Sequence, residues 1–338
     1  MGQGGSNDNF PRCLSRGCVT SGCGTRAGAN PMGHSFSRAA VGGLILLALL
    51  AAPAVGHPTS RPFTAQELEP LLMALQAEGF SRASITPLFF DSRLRKLDLV
   101  VALNALNPDS EALYTKFLEP FAIRMAKRFR RRQFKKLLAT EERYGVPMNI
   151  LVAVLLVETQ FGNYRSNFRV VEVFTTLFVE SNPQSVDRHY KRLRAKFPHL
   201  DREHLRERLW KKAAWALQEL VAFLTLDGRT NQNLLEIRGS YAGAFGLPQF
   251  LPTSFQQWGA DGDDDDRVDL ENLPDALASI ANFLREHGWV PKAGLEKKLR
   301  AVWEYNHSPH YVDAIFGISR KLELPSRKRP VKSCRTPC

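Results

Sequence analysis

The chain has 338 residues, more than one average domain, and its 44% hydrophobic content supplies a sizeable core, which excludes a chain that is disordered throughout. The net charge of +12 and the pI near 9.6 suit an anionic polymer, a nucleic acid or a membrane surface, and do not distinguish among them. Cys13, Cys18 and Cys23 match no zinc-binding spacing, and Cys334 and Cys338 either pair in an oxidising compartment or stay free.

Residues 1–56 are predicted to be a leader. The apolar run at 39–55 follows Arg38, ends in small residues and is short for a membrane span, so it indicates a secretory signal peptide and a periplasmic protein. The alternative is an uncleaved anchor, which would keep the protein membrane-associated. Counted from Met32 instead of Met1, the leader has an ordinary length, so either methionine is compatible with the start of translation.

Residues 57–140 are predicted to form an N-terminal helical region, with helical patterns at 67–75, 92–106 and 114–138. Prolines punctuate these patterns and separate them from one another.

The densest basic run of the chain, residues 127–136, lies in the last of these helices. Its mixture of arginine and phenylalanine is compatible with nucleic-acid binding. The spacing favours an amphipathic helix with Met125, Phe129 and Leu137 turned inward and a solvated basic face turned outward. We therefore expect no nucleic-acid partner.

The segment 150–162 is predicted to be a buried helix with a carboxylate at its end. Two turns without a polar face precede Glu158, and Gly162 can close the helix. Burial and the negative end of the helix dipole both raise the pKa of a glutamate placed there, which suits a general acid. The alternative is a buried glutamate that is merely paired with an arginine or a lysine.

Two motifs downstream supply candidate ligand contacts. Residues 239–250 contain three glycines and a proline, a pattern typical of a loop whose backbone approaches a ligand, with Ser240 and Gln249 as polar contacts. Residues 305–308, Tyr-Asn-His-Ser, are predicted to end one element and project into a cleft.

In this order, the motifs resemble the lytic murein transglycosylases of the B-type family. The resemblance spans about 114–322. The stretches that carry it are Tyr-Gly-Val-Pro at 144–147, Val-Glu-Thr at 157–159, the loop and its continuation at 239–253, residues 275–283, His-Gly-Trp at 287–289 and residues 305–311.

The resemblance implies a mostly α-helical fold with a lysozyme-like catalytic core at 141–324, the N-terminal helical region and an EF-hand-like loop. It also implies cleavage of the β-1,4 bond between N-acetylmuramic acid and N-acetylglucosamine in peptidoglycan without water, leaving 1,6-anhydro ends and requiring no cofactor. Such a reaction needs one glutamate, whereas ordinary glycosidases need two carboxyl groups. The alternatives are a lysozyme-type hydrolase, for which Asp227 or Asp261 is a candidate second acid, and a non-catalytic cell-wall-binding protein.

Carried over by position, the resemblance makes Glu158 the acid and then the base. The residues that it implies for the sugar subsites are Ser240, Gln249, Phe250, Tyr305 and Asn306. Tyr241 and Phe245 either stack on sugar rings or belong to the core. Lys211 and Lys212 fall where relatives tend to have an arginine pair that contacts substrate, and lysine keeps that charge but loses the planar fork.

An acidic loop begins at residue 261, with carboxylates at positions 1, 3 and 5 and a backbone carbonyl at position 7, the spacing of an EF-hand. Position 6 is Asp266, where glycine is usual, and aspartate tolerates the left-handed conformation. The candidate ligands, of which the last is implied by the resemblance, are Asp261, Asp263, Asp265, Arg267 and Asp275. The sequence predicts a structural Ca²⁺ site with no part in the chemistry; the alternative is a solvated acidic turn.

Residues 181–208 are a strongly charged insertion, longer than the resemblance implies, and are predicted to form an extra helical hairpin or lid. The segment between Trp289 and Trp303 is shorter than in relatives, and residues 325–338 are predicted to be a disordered basic tail. The expected partners are peptidoglycan glycan strands, with wall-synthesis or remodelling proteins as candidates, and we expect a monomer.

Overall fold

The structure is a computed structural model that describes residues 60–106, 110–164, 166–226 and 233–323. The described part is predominantly α-helical, which confirms the prediction of a mostly α-helical fold. None of its helices is both long and apolar enough to cross a membrane. The predicted leader, the basic tail and all five cysteines lie outside the described residues.

Short helices and a two-stranded sheet make up the first half. Its elements are β1 (Ser60–Pro62), α1 (Ala65–Ala77), α2 (Arg82–Phe89), β2 (Arg95–Leu97), α3 (Asp98–Leu106), α4 (Ala112–Thr115), a 3₁₀ turn (Lys116–Leu118), α5 (Pro120–Arg132) and α6 (Phe134–Tyr144). Strands β1 and β2 are antiparallel, with Ser60 opposite Leu97. Helix α1 begins at a capping box, in which the Thr64 hydroxyl accepts from the Glu67 amide and the Glu67 carboxylate accepts from the Thr64 amide.

The helical pattern at 114–138 is interrupted in the structure, which divides this stretch into four helical pieces. Pro120 lacks an amide hydrogen and starts α5, and the chain leaves the helical conformation again at Gln133. The proposed boundary at residue 140 lies inside α6.

The second half contains the longer helices. Its elements are α7 (Met148–Thr159), β3 (Phe168–Arg169), α8 (Val170–Val179), α9 (Pro183–Arg194), α10 (Arg202–Leu224), β4 (Arg238–Gly239), α11 (Pro252–Trp258), α12 (Leu273–Glu286), α13 (Leu295–Tyr305) and α14 (Pro309–Glu323). Strands β3 and β4 pair antiparallel, with Phe168 opposite Gly239.

Helix α7 is the centre of the molecule. Every side chain from Ile150 to Thr159 is buried, as its lack of a polar face predicts. Helices α5, α6, α12 and α14 surround it. The apolar cluster around it extends from Leu68 on α1 to Leu322 on α14, so both halves of the described chain share one core.

The charged insertion contains the predicted helical hairpin, formed by α9 and the first part of α10. A small second apolar cluster attaches this hairpin to α3; its members are Val101, Ala105, Val186, Leu193, Leu205 and Leu209. The hairpin is therefore packed against the N-terminal region.

A group of ionisable side chains around one buried carboxylate adds to this attachment, and we call it the Glu180 cluster: Lys96, Glu180, Arg188 and His189. Glu180 follows α8 and is 2% exposed. Its carboxylate is 2.7 Å from His189 Nε2, is hydrogen-bonded by Arg188 and lies 3.8 Å from Lys96 Nζ. Burial alone would raise the pKa of Glu180, but the bond to His189 and the charges of Arg188 and Lys96 outweigh it and lower the pKa.

The neighbouring Asp98 brings a third ligating atom within 4.8 Å of Glu180 and His189, a grouping that metal ions also use. Arg192 donates to Asp98 over 2.9 Å. Since cations already neutralise both carboxylates, the arrangement is an ionic link between α9 and the rest of the fold.

Candidate active site

Glu158 occupies the last turn of α7 and is 4% exposed. The hydroxyl of Tyr311, a fully buried residue on α14, donates to Glu158 Oε1 over 2.8 Å. Burial raises the pKa of Glu158 to about 8, and the hydrogen bond from Tyr311 offsets only part of this effect. The carboxyl group is therefore protonated at neutral pH and able to give up a proton.

Within the described residues, no lysine, arginine or histidine lies within ion-pair distance of Glu158. This excludes, for that part of the chain, the alternative of a glutamate paired with a cation. The surroundings are aromatic instead: the ring of Tyr311 stacks on that of Tyr305 with centroids 6.1 Å apart, and Tyr114 meets its edge at 6.0 Å.

The end of α7 is strained. Gln160 and Phe161 both adopt left-handed φ angles, 50° and 63°, before Gly162 at 81°. The expectation that Gly162 closes the helix is wrong, because Gln160 takes that position. Each non-glycine residue in this region costs about 1–2 kcal/mol. The stack of Phe161 on Phe129, with ring centroids 4.0 Å apart, contributes to holding this conformation next to Glu158.

The loop 239–250 faces the end of α7. Thr159 donates its hydroxyl to the carbonyl of Leu247 over 3.1 Å, which ties the residue after Glu158 to this loop. The glycines of the loop have no room for a side chain: for example, a Cβ atom on Gly239 would lie 2.2 Å from the Ala244 carbonyl oxygen and one on Gly243 would lie 2.2 Å from the Phe174 ring. The loop is irregular, as predicted, and its glycines approach other parts of the fold closely.

Ser240 stabilises this loop from within. Its side chain is 0% exposed, and its hydroxyl oxygen accepts from the amides of Ala242 and Ala244, each over 3.2 Å. The sequence assigns this hydroxyl to a sugar subsite, whereas in the structure its oxygen is turned toward the loop backbone.

The aromatic residues of the loop are also buried. Phe250 packs between the rings of Phe283 and Tyr305, with centroids 5.9 Å and 5.8 Å away, and does not face a subsite as expected. Tyr241 and Phe245 are core residues, which decides between the two alternatives left open for them.

A cavity of about 500 Å³ opens beside Thr159, the residue after Glu158. Gln249, with a left-handed φ of 51°, lies in its wall and donates its side-chain amide to the Gly246 carbonyl over 2.9 Å. Further polar residues of the wall are Ser166, Asn167, Glu236, Arg238 and Glu271. Of the predicted subsite residues, Gln249 is the one placed in this wall.

Sequence reasoning missed these wall residues and also Tyr311. Arg238 directly precedes Gly239, so the charged residue beside the glycine loop was the available indication that polar side chains line the cavity. Tyr311 lies in the stretch 305–311 that carries part of the family resemblance, but nothing in the sequence shows that its hydroxyl reaches Glu158, 153 positions earlier.

The Tyr-Asn motif contacts the loop 239–250 through the side chain of Tyr305. Tyr305 ends α13 and donates its hydroxyl to the Pro248 carbonyl over 2.7 Å. Asn306 follows and is buried, with 6% of its surface exposed. Burial, and then the charge of Glu158, raise the pKa of Tyr305, so its hydroxyl stays protonated and positions the loop.

Lys211 and Lys212 lie on α10 and are not among the residues that line the cavity. Lys211 is exposed and pairs with Glu207 over 2.6 Å. The Lys212 ammonium lies 4.1 Å from the centroid of the Trp215 ring, and burial lowers its pKa to about 8. The structure thus places both lysines away from the described cavity.

The acidic loop is compact around Asp261. This carboxylate accepts hydrogen bonds from the backbone amides of residues 263–266, and Asp266 adopts a left-handed φ of 66°, as position 6 of an EF-hand requires. Carboxylate oxygens of Asp261, Asp263 and Asp265 lie within 4.8 Å of one another. These three residues fit a hard cation that prefers oxygen ligands.

Asp275 closes the loop from inside. It is buried, and its two oxygens accept from the amides of Gly262 and Asp269 over 2.8 Å and 2.7 Å. Burial is the largest cause of its raised pKa. Its contribution is therefore to hold the backbone of the loop, through which residues 261–265 are brought together.

Comparison with known proteins identifies the family to which the chain is similar. The model of the transglycosylase SLT domain matches residues 63–300, which is most of the chain. Membrane-bound lytic murein transglycosylase B of Escherichia coli is 26% identical over 223 residues, which cover 63% of this chain and 54% of that protein. The match thus spans about half the length of this curated relative.

Solved structures share the fold. The Escherichia coli lytic transglycosylase Slt35 in complex with calcium has a TM-score of 0.58 at 21% identity, with 76% of this chain and 92% of that chain covered. Pseudomonas aeruginosa SltB3 in complex with NAG-anhNAM-pentapeptide has a TM-score of 0.60 at 18% identity, with 76% of this chain and 78% of that chain covered.

Proposed function

The chain belongs to the transglycosylase SLT family, and we propose that it is a lytic transglycosylase that cleaves the β-1,4 bond between N-acetylmuramic acid and N-acetylglucosamine in peptidoglycan. The observation that carries this proposal is Glu158, a buried carboxyl group with a pKa of about 8 and a neutral hydrogen-bond donor. The relative from Escherichia coli is named for the same activity.

In the proposed reaction Glu158 acts twice. Its carboxyl group first donates a proton to the glycosidic oxygen, and the bond between that oxygen and C1 of the muramoyl sugar breaks. The resulting carboxylate then takes the proton of the C6 hydroxyl, whose oxygen bonds to C1 to give a 1,6-anhydro product. No water is consumed, and Glu158 ends protonated, ready for another cycle. The related SltB3 was solved in complex with NAG-anhNAM-pentapeptide, which contains an anhydro sugar.

A lysozyme-type hydrolase is the second candidate, and one observation keeps it open. Glu236 and Glu271 line the cavity beside Thr159, so carboxylates are available near the end of α7. A hydrolase that inverts configuration uses a second carboxylate to activate water. Of the second acids suggested from sequence, Asp227 lies outside the described residues and Asp261 belongs to the acidic loop.

The decisive experiment is mass spectrometry of the soluble products from purified peptidoglycan, with the wild-type protein beside Glu158→Gln. We expect muropeptides with 1,6-anhydro ends from the wild type, and a loss of at least about 100-fold in rate for the variant, since it keeps the shape but cannot transfer the proton. Reducing ends, one water heavier, would establish the hydrolase. Sedimentation with the wall and no released product would establish a non-catalytic binding protein.

We also propose that Asp261, Asp263, Asp265 and the backbone carbonyl of Arg267 hold a structural Ca²⁺, which takes no part in the reaction. The support is the oxygen cluster described above and the solved complex of Slt35 with calcium. Millimolar Ca²⁺ should raise the melting temperature of the wild type and leave that of Asp263→Asn unchanged. An equal rise in the melting temperature of both proteins would contradict the proposed Ca²⁺ site.

The proposed location is the periplasm, where peptidoglycan lies. The support is the apolar run at 39–55, which is typical of a signal peptide. N-terminal sequencing of the exported protein tests this, because a cleaved signal peptide leaves a new N-terminus after that run and an anchor does not.

A further inference from the structure

A strongly basic surface lies on the outer side of α5 and the start of α6. Its cations recur three or four positions apart along α5, so they share one face of the helix. The members of this basic face are Phe121, Arg124, Arg128, Arg131, Arg132, Phe134, Lys135 and Lys136, and all are exposed. The opposite side of α5, with Ala122, Ile123 and Ala126, is buried in the core.

The positive charge of the basic face is not neutralised within the described part of the chain. None of its six cations lies within ion-pair distance of a described carboxylate. Exposed cations elsewhere do have such partners, as Arg82 does with Glu69 over 2.6 Å. The face therefore projects a concentrated positive potential that attracts polyanions.

Two phenylalanines flank these cations. Phe121, the second residue of α5, is 67% exposed, and Phe134, the first residue of α6, is 49% exposed. Neither ring buries its apolar surface fully in the fold. A helix face with arginines and lysines between exposed aromatic rings is typical of a surface that binds anionic lipid, since the cations bind phosphate and the rings enter the interface.

The basic face is coupled to the candidate active site through the same helix. Phe129, on the inner side of α5, stacks on Phe161 three residues after Glu158. Arg130 donates to Asn149 on α7 over 2.7 Å and to the Leu322 carbonyl over 3.0 Å. Since these contacts fix α5 to α7, whatever binds the basic face also sets the orientation of the candidate active site.

We propose that the basic face docks this protein onto a membrane surface that carries anionic lipid. The cations bind the lipid phosphates and the rings of Phe121 and Phe134 insert among the headgroups. This proposal is independent of the catalytic function, because it uses neither Glu158 nor the cavity.

Sedimentation with vesicles tests the electrostatic part. Vesicles of phosphatidylcholine are compared with vesicles that also contain phosphatidylglycerol, using the wild type, the triple variant Arg124→Glu/Arg128→Glu/Arg131→Glu and a matched triple variant at the end of α9. The matched variant, Lys191→Glu/Arg194→Glu/Lys196→Glu, makes the same change in net charge at other exposed positions. Circular dichroism and turnover of peptidoglycan confirm that each variant is folded.

We expect the wild type to bind the anionic vesicles and not the neutral ones. The α5 variant should bind at least about 100-fold more weakly, since each basic residue near an anionic surface contributes about fivefold, and the α9 variant should change by less than about threefold. Equal losses in both triple variants would overturn the proposal, because binding would then depend on net charge alone.

The phenylalanines distinguish lipid from other polyanions. Phe121→Ser/Phe134→Ser should weaken binding to anionic vesicles about tenfold or more and leave binding to heparin unchanged, while Phe197→Ser, at a ring that is 43% exposed elsewhere, should change neither. Binding of the wild type to RNA or heparin, but not to vesicles, would assign the face to a soluble polyanion and refute the membrane proposal.

Discussion

Glu158 and Glu180 are both buried glutamates that follow or end an apolar helix, yet their surroundings differ in one respect. Glu158 has a neutral donor, Tyr311, and its pKa is raised to about 8. Glu180 lies among His189, Arg188 and Lys96, and its pKa is lowered. Burial acts in the same direction on both groups, so the neighbouring cations decide the outcome.

This difference in pKa explains the different roles of Glu180 and Glu158. A carboxylate compensated by cations binds its neighbours firmly and gives up no proton, which suits the attachment of α9. A carboxyl group kept neutral by an apolar helix carries a proton at neutral pH, which suits a general acid. For this reason α7 has no polar residue between Asn149 and Glu158, although that leaves the ionised form of Glu158 poorly solvated.

When each glutamate is replaced by glutamine in turn, the largest expected effect is on the free energy of unfolding. Glu180→Gln removes the carboxylate charge that Arg188, His189 and Lys96 share and leaves Glu67 as the carboxylate partner of Lys96, so we expect the free energy of unfolding to fall by about 3 kcal/mol. Glu158→Gln removes no ion pair among the described residues and should leave the protein at least as stable at pH 8. Urea denaturation of the three proteins measures both effects.

For activity, the order of the two variants is reversed. Folded Glu180→Gln should retain wild-type turnover of peptidoglycan, whereas Glu158→Gln should lose at least about 100-fold in rate. If Glu180→Gln were as stable as the wild type, the Glu180 cluster would not be what attaches α9.

The next effect is the pH dependence of stability, in which the two glutamates act with opposite signs. Folded Glu158 binds its proton more tightly than the unfolded chain, so its contribution to stability falls as pH rises from about 4.5 to about 8, by at most about 1.4 kcal/mol per pH unit. Folded Glu180 binds its proton less tightly, so its contribution is present above the unfolded pKa and is lost as pH falls through the folded one.

Denaturation curves between pH 4 and pH 9 test this. Glu158→Gln should gain stability relative to the wild type as pH rises to 8, and Glu180→Gln should lose its disadvantage in acid. Parallel curves for the wild type and Glu158→Gln would contradict the raised pKa.

The sequence predicted this contrast only in part. The run of apolar residues before Glu158 is visible in the chain, so a buried acid with a raised pKa was predictable, and the glycines at 239 and 243 indicated a tight loop. That no described cation reaches Glu158 was not predictable, because any of 46 lysines and arginines is a potential partner until the fold places them.

Other parts depend on contacts between distant segments. Ser240 and Phe250 looked like ligand contacts because a glycine-rich loop near a ligand and one packed against itself have the same composition. Only tertiary packing turned both side chains inward. The close of α7 at Gln160 likewise depends on the Phe129–Phe161 stack, which joins α5 to the end of α7 and leaves no local pattern.

The smallest expected effect is a shift in the pH profile of activity when Glu158 loses its hydrogen-bond donor, Tyr311. The hydrogen bond from Tyr311 lowers the pKa of Glu158, so Tyr311→Phe should raise it and move the alkaline limb of the activity profile upward by up to about one pH unit, since a bond to a charged group contributes about 1.5 kcal/mol. The rate on the plateau should fall about tenfold, because the carboxyl group loses its orientation.

Tyr305→Phe is the matched control. The Tyr305 hydroxyl donates to the Pro248 carbonyl, so its removal should loosen the loop 239–250 and reduce the rate without moving the alkaline limb. An alkaline limb that stays in place in Tyr311→Phe would mean that it does not report Glu158, and the pKa that governs the reaction would belong to another group.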